Sequence, residues 1–244
     1  MNIKALKELY WYIRGPLAQE LGWSRQLKRS QKGQSTVVFD HDWSQMRNNR
    51  ISVINRVIAG LKPPVQYLEI GCAFNDCFNS IMAKDKIGVD PVQGGTVRAT
   101  SDEFFAANTK TFDVIFIDGL HTYEQCRQDA MNAFRCLKKG GFVLFHDMLP
   151  RNWREEHIPR VQMDWTGDVW KVGVELMQSK GLDFRIIEID NGVGVAKKIE
   201  DDVSYHEAHG SLVKATFDDY VNIRPKLPIY SYSDSFDWFE RANC

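Results

Sequence analysis

The sequence lacks the features that mark several classes of protein. Its five cysteines are odd in number and include no Cys-x-x-Cys pair, so neither a structural zinc site nor a disulfide framework is expected. The formal net charge is −1, so the protein as a whole is not attracted electrostatically to nucleic acid or to an anionic membrane. No apolar run approaches the roughly 18 residues of a membrane helix, and the N-terminus lacks a signal-peptide pattern. These absences predict a cytoplasmic globular protein with reduced cysteines.

The composition is that of an ordinary globular chain, with 43% hydrophobic and 26% charged residues among 244. This length suits one large domain with additions. We expect a helical extension at 1–62, a core at 63–199 and an aromatic extension at 200–244. Within the first of these, helical spacing runs to about residue 30 with a break at Gly15-Pro16, and a second helix is predicted from about Trp43 to Leu61.

The core alternates between short apolar runs and helical patterns. Strands are predicted at 65–71, 85–90, 96–101, 112–119, 141–147, 184–190 and 192–198, and helices at 76–83, 102–108, 123–137 and 169–180. Such alternation predicts an α/β fold with a doubly wound, mostly parallel seven-stranded sheet of the Rossmann-like kind. The last two strands surround Asn191-Gly192 and are expected to pair antiparallel.

The turn after the first strand indicates the type of cofactor. Dinucleotide-binding turns carry Gly-x-Gly-x-x-Gly, whereas here Gly71 is followed by Ala73 and Asp76 at the other two positions. A carboxylate at the start of the helix would repel a pyrophosphate. Asp90, nineteen residues after Gly71, is placed to accept both hydroxyls of a ribose. Together these residues favour a nucleoside-type ligand without phosphate, although Asp76 alone could be a helix cap and Asp90 alone could open a turn.

Six stretches carry a family resemblance: EIGCAFNDCF, GVDP, TSDEFFA, FDVIFIDGLHTYEQCRQDA, LKKGGFVLFHDMLP and GDVWK. Together they resemble the class I S-adenosylmethionine (SAM)-dependent methyltransferases, in the branch that includes macrocin-type sugar O-methyltransferases. The resemblance covers about residues 65–198. It implies that Glu69 and Gly71 line the methionine end of SAM, Asp90 the ribose, and Ser101-Asp102 the adenine edge. The remaining residues that we expect at the cofactor are Cys72, Ala73, Asn75 and Asp118.

Four polar residues follow the fourth and fifth predicted strands: Asp118, His121, His146 and Asp147. Neighbouring parallel strands end at the same edge of a sheet, so these side chains are expected to converge. We predict Asp118, His121 and His146 as catalytic residues, either histidine serving as the general base. The resemblance also implies a divalent metal, Mg²⁺ or similar, at Asp118, His146 and Asp147, although histidine suits Mn, Fe, Ni or Zn better. The alternative is a set of structural hydrogen bonds.

The function expected from these residues is SAM-dependent O-methylation of a hydroxyl on a small molecule or glycoside. The first alternative is a nicotinamide-dependent oxidoreductase, which the turn opposes and for which no Tyr-x-x-x-Lys pair is present. The second is a SAM-binding protein without turnover. The balanced charge and the absence of a basic stripe argue against a nucleic-acid substrate.

Two further points concern side chains whose roles the sequence leaves open. Trp153, Trp165 and Trp170 could stack on the acceptor or pack in the core, whereas Cys72 and Cys77 are expected to be packing residues. The long extensions also predict a homodimer in which at least one of them crosses the interface.

Overall fold

The computed structural model describes residues 19–208, 210–235 and 238–239. Its strands are β1 (Gln66–Ile70), β2 (Asp85–Val89), β3 (Phe112–Ile117), β4 (Leu137–Phe145), β5 (Leu182–Ile187), β6 (Val193–Lys198) and β7 (Ile229–Tyr230). Its α-helices are α1 (Arg50–Ala59), α2 (Asp76–Ser80), α3 (Ser101–Ala107), α4 (Tyr123–Cys136), α5 (Trp153–Glu156), α6 (Trp170–Gln178), α7 (Gly210–Val213) and α8 (Phe217–Ile223). Residues 19–30 are also helical, while the rest of the predicted N-terminal helix lies outside the described residues.

The strands form one seven-stranded sheet in the order β2-β1-β3-β4-β6-β5-β7. Strands β1 to β4 pair in parallel, and β6 runs antiparallel to both β4 and β5. The predicted doubly wound, mostly parallel α/β sheet is therefore confirmed, as is the antiparallel pair around Asn191-Gly192.

The sheet separates two layers of core because successive strand residues face opposite sides. Ile115 and Val143 pack on one side with the apolar faces of α4 and α6. Phe116 and Leu144 pack on the other side with Val53, Ile54, Val57 and Ile58 of α1. Helices thus cover both faces, which leaves the ends of the strands as the place where polar side chains can gather.

One predicted strand is wrong, and the seventh strand comes from a different segment. Residues 96–101 make only an isolated bridge, Val89 to Val97, because Thr100 already caps α3 in a reciprocal pair of hydrogen bonds with Glu103. The seventh strand is β7, which pairs in parallel with β5 and closes the opposite edge.

The helix predicted from Trp43 also begins later than expected. A single 3-10 turn covers Trp43–Gln45, and α1 starts only at Arg50, where the Asn49 side chain accepts a hydrogen bond from the amide of Ile51. This later start places Arg50 at the first helical position.

The aromatic C-terminal extension packs on its own chain over the residues described. Tyr220 of α8 is fully buried, with its ring 5.3 Å from that of Trp170 and 5.8 Å from that of Phe39. Across residues 19–208, 210–235 and 238–239, no helix combines the length and apolar character needed to span a bilayer. The four cysteines in this part of the chain are unpaired.

Candidate active site

The carboxyl ends of β1, β2, β3 and β4 open onto one cavity of about 950 Å³. The sheet register explains why. Val89, Ile70, Ile117 and Phe145 pair side by side across the four strands, so the residues that follow them form a row at the sheet edge. That row is Asp90, Gly71, Asp118 and His146. The pairing of the preceding strands therefore brings these four residues together, as the sequence analysis predicts for Asp118 and His146.

Gly71 makes the sharp turn that opens the cavity. Its φ of +85° lies in the left-handed region, and a Cβ at this position would overlap the backbone carbonyl of Asp118. Ala73 and Asn75 also have positive φ, at 43° and 68°. The chain therefore turns away from β1 with little side-chain bulk, which leaves room at the strand end for a ligand.

Asp90 binds the turn rather than projecting freely into the cavity. Its Oδ2 accepts hydrogen bonds from the amides of Cys72 and Ala73 at 3.1 and 3.0 Å. Its Oδ1 accepts from the amides of Val92 and Gln93, both at 2.8 Å. Burial opposes ionisation, but these four donors lower the pKa of Asp90 overall. Asp90 therefore fixes two loops of the cavity wall. These contacts agree with the alternative that Asp90 stabilises a turn.

Glu69 is a fully buried carboxylate that lines the same cavity. Its Oε2 accepts a hydrogen bond of 2.6 Å from the Tyr67 hydroxyl, whereas Oε1 has no hydrogen-bond partner among the described residues. Burial raises the pKa of Glu69 to about 7. The Cys77 thiol and the charges of Asp118 and Arg50 also act on this carboxylate, so Glu69 is electrostatically linked to the polar residues at the end of β3.

The polar cluster consists of Asp118, His121, His146 and Asp147, and the structure brings all four together. The His146 Nδ1 lies 3.3 Å from both Asp118 Oδ1 and Asp147 Oδ2. The His121 Nε2 lies 3.4 Å from Asp118 Oδ1, and its Nδ1 lies 3.0 Å from Asp147 Oδ2. Each carboxylate thus faces both imidazoles.

The electrostatics of the cluster follow from this geometry. Burial alone would lower the pKa of both histidines, but Asp147 and Asp118 raise that of His121 to about 10 and that of His146 well above its usual value. Burial likewise opposes ionisation of the two aspartates, yet the histidines lower their pKa values. Without a bound cation, the cluster is therefore a set of imidazolium–carboxylate pairs at neutral pH.

Three residues of the cluster fit a metal ion. One donor atom each from Asp118, His121 and Asp147 lie within 4.8 Å of one another. The buried Oδ1 of Asp147 has no hydrogen-bond partner in the described part of the chain, so its lone pairs are available to a metal ion. Two carboxylates with one imidazole suit Mn²⁺ or Fe²⁺ as well as Mg²⁺. The imidazole in this set is that of His121, whereas the sequence prediction used His146.

Sequence reasoning missed Arg50 and Asp190. They join Asp118 and His146 in a closed ring of alternating charge: Arg50 NH1 to Asp190 Oδ2 at 2.9 Å, and Asp190 Oδ1 to His146 Nε2 at 3.5 Å. The other two sides are His146 Nδ1 to Asp118 Oδ1 at 3.3 Å and Asp118 Oδ2 to Arg50 Nε at 3.7 Å. Arg50 and Asp190 are 140 positions apart in sequence, so no local spacing connects them.

Most of the predicted cofactor residues line the cavity: Glu69, Gly71, Cys72, Ala73, Asp90, Ser101, Asp102 and Asp118. Asn75 does not; its side-chain oxygen accepts a 2.7 Å hydrogen bond from the amide of Gly95. Gln125, which was not predicted, lines the cavity and donates to both Ser101 and Asp102.

The structure shows that the three tryptophans have different environments and that the two nearby cysteines are buried. Trp153 and Trp170 are buried in the core, and only Trp165 lines the cavity. The Cys72 and Cys77 thiols are buried, and burial raises the pKa of Cys72 to about 12 and that of Cys77 further. Protonated, buried thiols are weak nucleophiles, which agrees with a packing role.

Residues 30–148 match the family model described as a methyltransferase domain. This match covers just under half of the chain, and it includes strands β1 to β4, whose carboxyl ends open onto the cavity. No protein among curated sequences matches the chain significantly.

Solved structures include chains with a similar fold, of which three are described here. Cofactor-bound Rv0187 from MTB is 12% identical with a TM-score of 0.48, over 75% of this chain and 89% of that one. CalS10, an amino pentose methyltransferase from Micromonospora echinaspora, is 12% identical with a TM-score of 0.44, over 65% and 92%. MycE, from the mycinamycin biosynthetic pathway, was solved with Mg, SAH and mycinamycin VI. It is 18% identical with a TM-score of 0.40, over 57% of this chain and 46% of its own. At these values they assign no residue here.

Proposed function

We propose that this protein is a SAM-dependent methyltransferase, which transfers a methyl group from SAM to a hydroxyl of a small molecule or glycoside. The observation that carries the proposal is the position of the polar cluster. Asp118 and His146 stand in the same row of strand ends as Gly71 and Asp90, so a reacting hydroxyl at the cluster lies beside the cofactor turn. The acceptor and the donor can thus be held in one cavity, and such alignment supplies roughly 7–11 kcal/mol of a barrier.

When bound, SAM supplies an activated methyl group on a sulfonium sulfur. The residues of this chain must then orient the acceptor hydroxyl and remove its proton. A histidine of the cluster can accept that proton only if it is neutral beforehand, because an imidazolium has no free lone pair. At neutral pH the surrounding carboxylates keep both histidines charged, so the base needs a change in the local charge.

A divalent cation held by Asp118, His121 and Asp147 would supply that change, and it would also lower the pKa of the acceptor hydroxyl. The charges of the cluster balance both without a cation and with one bound. Asp118, Asp147 and Asp190 carry three negative charges, offset by Arg50 and two imidazolium groups. With both imidazoles neutral and one divalent ion held by Asp118, His121 and Asp147, the sum of charges would be the same. Since His121 completes the donor set, we assign the general base to His146.

Two kinds of experiment test the function. Calorimetry with S-adenosylhomocysteine (SAH) and with NAD⁺ is expected to show binding of SAH alone, and preferential NAD⁺ binding would overturn the class of reaction. Methyl transfer from labelled SAM to a panel of hydroxyl compounds then identifies the acceptor. His146→Ala is expected to lower turnover by about 10² to 10⁴ and leave SAH binding unchanged. Chelator is expected to stop transfer and Mn²⁺ or Mg²⁺ to restore it.

These two readouts separate the mechanisms. Full activity in chelator with an inactive His146→Ala variant would mean base catalysis without metal. Activity that survives both treatments would mean that the cluster is structural and that alignment alone drives transfer.

We also propose a homodimer. Because the described part of the C-terminal extension packs on its own chain, the N-terminal extension is the part that we expect at the interface. Light scattering that shows a monomer at micromolar concentration would contradict this assembly.

A further inference from the structure

The cavity contains two arginines that differ in how their charge is balanced. Among its lining residues in the described chain, Arg50 and Arg160 are the only arginines or lysines. Arg50 lies 2.9 Å from Asp190 and 3.7 Å from Asp118, so two carboxylates balance it. Arg160 forms no salt bridge with any residue that the structure describes, although it lines the same cavity. A ligand in the cavity can therefore supply its counterion.

Arg160 is fixed in place by its own loop and by two tryptophans. Its guanidinium lies 4.7 Å from the ring centre of Trp23, in the helix at 19–30, and 5.6 Å from that of Trp165. Its Nε donates to the Gln162 carbonyl at 2.8 Å, and its Nη2 donates to the Met163 carbonyl. The side chain is half-buried, and Nη1 is not a buried atom and has no partner in the described part of the chain. The two N–H donors of Nη1 are therefore open to a ligand.

The neighbours of Arg160 place it beside the polar cluster and away from the cofactor turn. Trp165 stacks on the ring of His121, with 5.3 Å between centroids. Burial lowers the pKa of Arg160, and the charges that act against this effect are those of Asp147, in the cluster, and Asp164. The carboxylate of Asp90, at the cofactor turn, is not among them. A group bound by Arg160 would thus lie on the acceptor side of the cluster.

Apolar side chains complete this side of the cavity. Leu120, which precedes His121, and Met163, in the loop of Arg160, line the cavity and remain 59% and 64% exposed. Ligand sites combine such apolar walls with a few polar groups that fix orientation. The acceptor side therefore offers an apolar wall for the body of a ligand, Arg160 for an anionic group and the cluster for a hydroxyl.

The charges on this side favour a carboxylate over a phosphate. The three aspartates and three cations of the cluster and its ring cancel, so they do not offset the charge of Arg160. The Asp164 carboxylate is 74% exposed and lies 3.4 Å from Arg151, so water and Arg151 screen it. One guanidinium balances the single charge of a carboxylate and donates charge-assisted hydrogen bonds to it. A phosphate monoester would bring further negative charge near the Asp147 carboxylate.

We propose that Arg160 selects the acceptor by charge: the hydroxyl compound that is methylated carries a carboxylate, and Arg160 binds that carboxylate while the hydroxyl lies at the polar cluster. This inference rests on the proposed function, because it names the class of acceptor for the same site. It adds a specificity-determining residue on the loop after β4, outside the residues that hold the cofactor or the cation. Sugar acids and hydroxylated aromatic acids belong to this class of acceptor.

A purely structural role for Arg160 is the competing explanation. In that case its stacking on Trp23 and Trp165 only steadies the loop and, through Trp165, the orientation of His121. Loss of Arg160 would then affect charged and neutral acceptors alike. Direct binding instead makes the effect depend on whether the acceptor has a carboxylate.

The experiment uses the full chain saturated with SAH and Mg²⁺ and measures the binding of matched probes by calorimetry. D-Glucuronate is compared with D-glucose, in which a hydroxymethyl group replaces the carboxylate, and 3,4-dihydroxybenzoate is compared with catechol. In at least one pair, wild type is expected to bind the acid about tenfold to a hundredfold more tightly than its neutral partner, the range for a hydrogen bond to a charged group. D-Glucose 6-phosphate, the phosphate probe, is expected to bind more weakly than D-glucuronate.

Arg160→Met is expected to remove this preference and to keep the binding of the neutral probe and of SAH within about threefold of wild type. Arg160→Lys should recover part of the preference, because the charge returns without the planar fork. Arg154→Met is the matched control, since Arg154 lies over the ring of Trp153 at 5.8 Å in the segment after β4 but is not a cavity residue. It should keep the preference of wild type. Thermal melts confirm that each variant is folded.

Several results would overturn the inference. Equal weakening of acid and neutral probe in Arg160→Met would assign Arg160 the structural role. A wild type that binds SAH but prefers the acid in neither pair would exclude the carboxylate subsite without any variant, even if Arg160→Met fails to fold. Tighter binding of D-glucose 6-phosphate than of D-glucuronate would replace the carboxylate with a phosphate. Failure of wild type to bind SAH would instead reject the proposed function itself.

Discussion

The ring of Trp165 stacks on the ring of His121, with 5.3 Å between centroids and 14° between the planes. The Trp165 carbonyl oxygen also lies 3.1 Å from His121 Nδ1, and its indole Nε1 donates to the carbonyl of His157 at 2.9 Å. One residue therefore restrains His121 from the face and from the edge. The loop after β4 thus reaches back to orient a residue that follows β3.

Trp165→Ala is expected to lower methyl transfer by about 10², because catalysis is sensitive to misplacement of a reacting group by about 1 Å. Binding of SAH should remain within about twofold of wild type. The matched control is Trp43→Ala, since Trp43 stacks on His41 in the same way but neither residue lines the cavity. Equal loss of activity in both variants would show a general effect on folding rather than on His121.

Gly71→Ala is expected to destabilise the protein more than an ordinary glycine substitution. The positive φ alone costs an alanine about 1–2 kcal/mol, and the overlap with the Asp118 carbonyl adds about 1–3 kcal/mol. Gly140→Ala separates the two effects, because Gly140 has φ +79° and a Cβ there would meet nothing within 4 Å. Urea unfolding of both variants measures the difference, and equal losses would contradict a tight turn at Gly71.

Asp90→Ala is expected to weaken both the fold and the cofactor site. The substitution leaves four amides without their acceptor, and we expect SAH to bind about 1.5–3 kcal/mol more weakly, which calorimetry measures. Asp113→Ala is the control, since Asp113 also accepts a backbone hydrogen bond, from Gln66 at 2.7 Å, but is not a cavity residue. It should lower the unfolding free energy and leave SAH binding intact. Unchanged SAH binding in Asp90→Ala would remove Asp90 from the cofactor site.

Local sequence patterns predicted the sheet and the row of residues at its edge. Apolar runs that end in Gly71, Asp90, Asp118 and His146 mark where strands stop, and parallel pairing then brings those residues together. The strand pattern failed where a strand-like run overlaps the start of a helix. Residues 96–101 are extended enough for a strand, yet the cap at Thr100 ends the pairing after one bridge.

Arg50 and Asp190 were missed at the site for the same reason. In the sequence, Arg50 is one charged residue inside the helix predicted from Trp43, and Asp190 is the last residue of a predicted strand. Their role comes from a contact across 140 positions, which a single sequence does not reveal. The choice of His121 over His146 for the metal set likewise depends on ring orientation, which the Trp165 loop imposes.

His121 is expected to make cation binding depend on pH. Its pKa in the folded, cation-free protein is about 10, because Asp147 and Asp118 outweigh the effect of burial. A nitrogen must lose its proton before it binds a metal, so protons compete with the cation throughout the range below pH 10. The apparent Kd for Mn²⁺ is therefore expected to fall about tenfold per pH unit for each proton displaced, from about pH 6.5 to 8.5.

Calorimetric titration of Mn²⁺ at three pH values measures this slope. His121→Gln should bind Mn²⁺ more weakly and with a shallower slope, because the competing proton is removed along with the ligand. Asp147→Asn should weaken binding at every pH, since it removes a carboxylate donor. His157→Gln is the control, as His157 contacts the Pro159 carbonyl and is not a cavity residue. A wild-type Kd that stays constant with pH would mean that no histidine of the cluster binds the cation, and would leave Asp118 and Asp147 as its only protein ligands in the set.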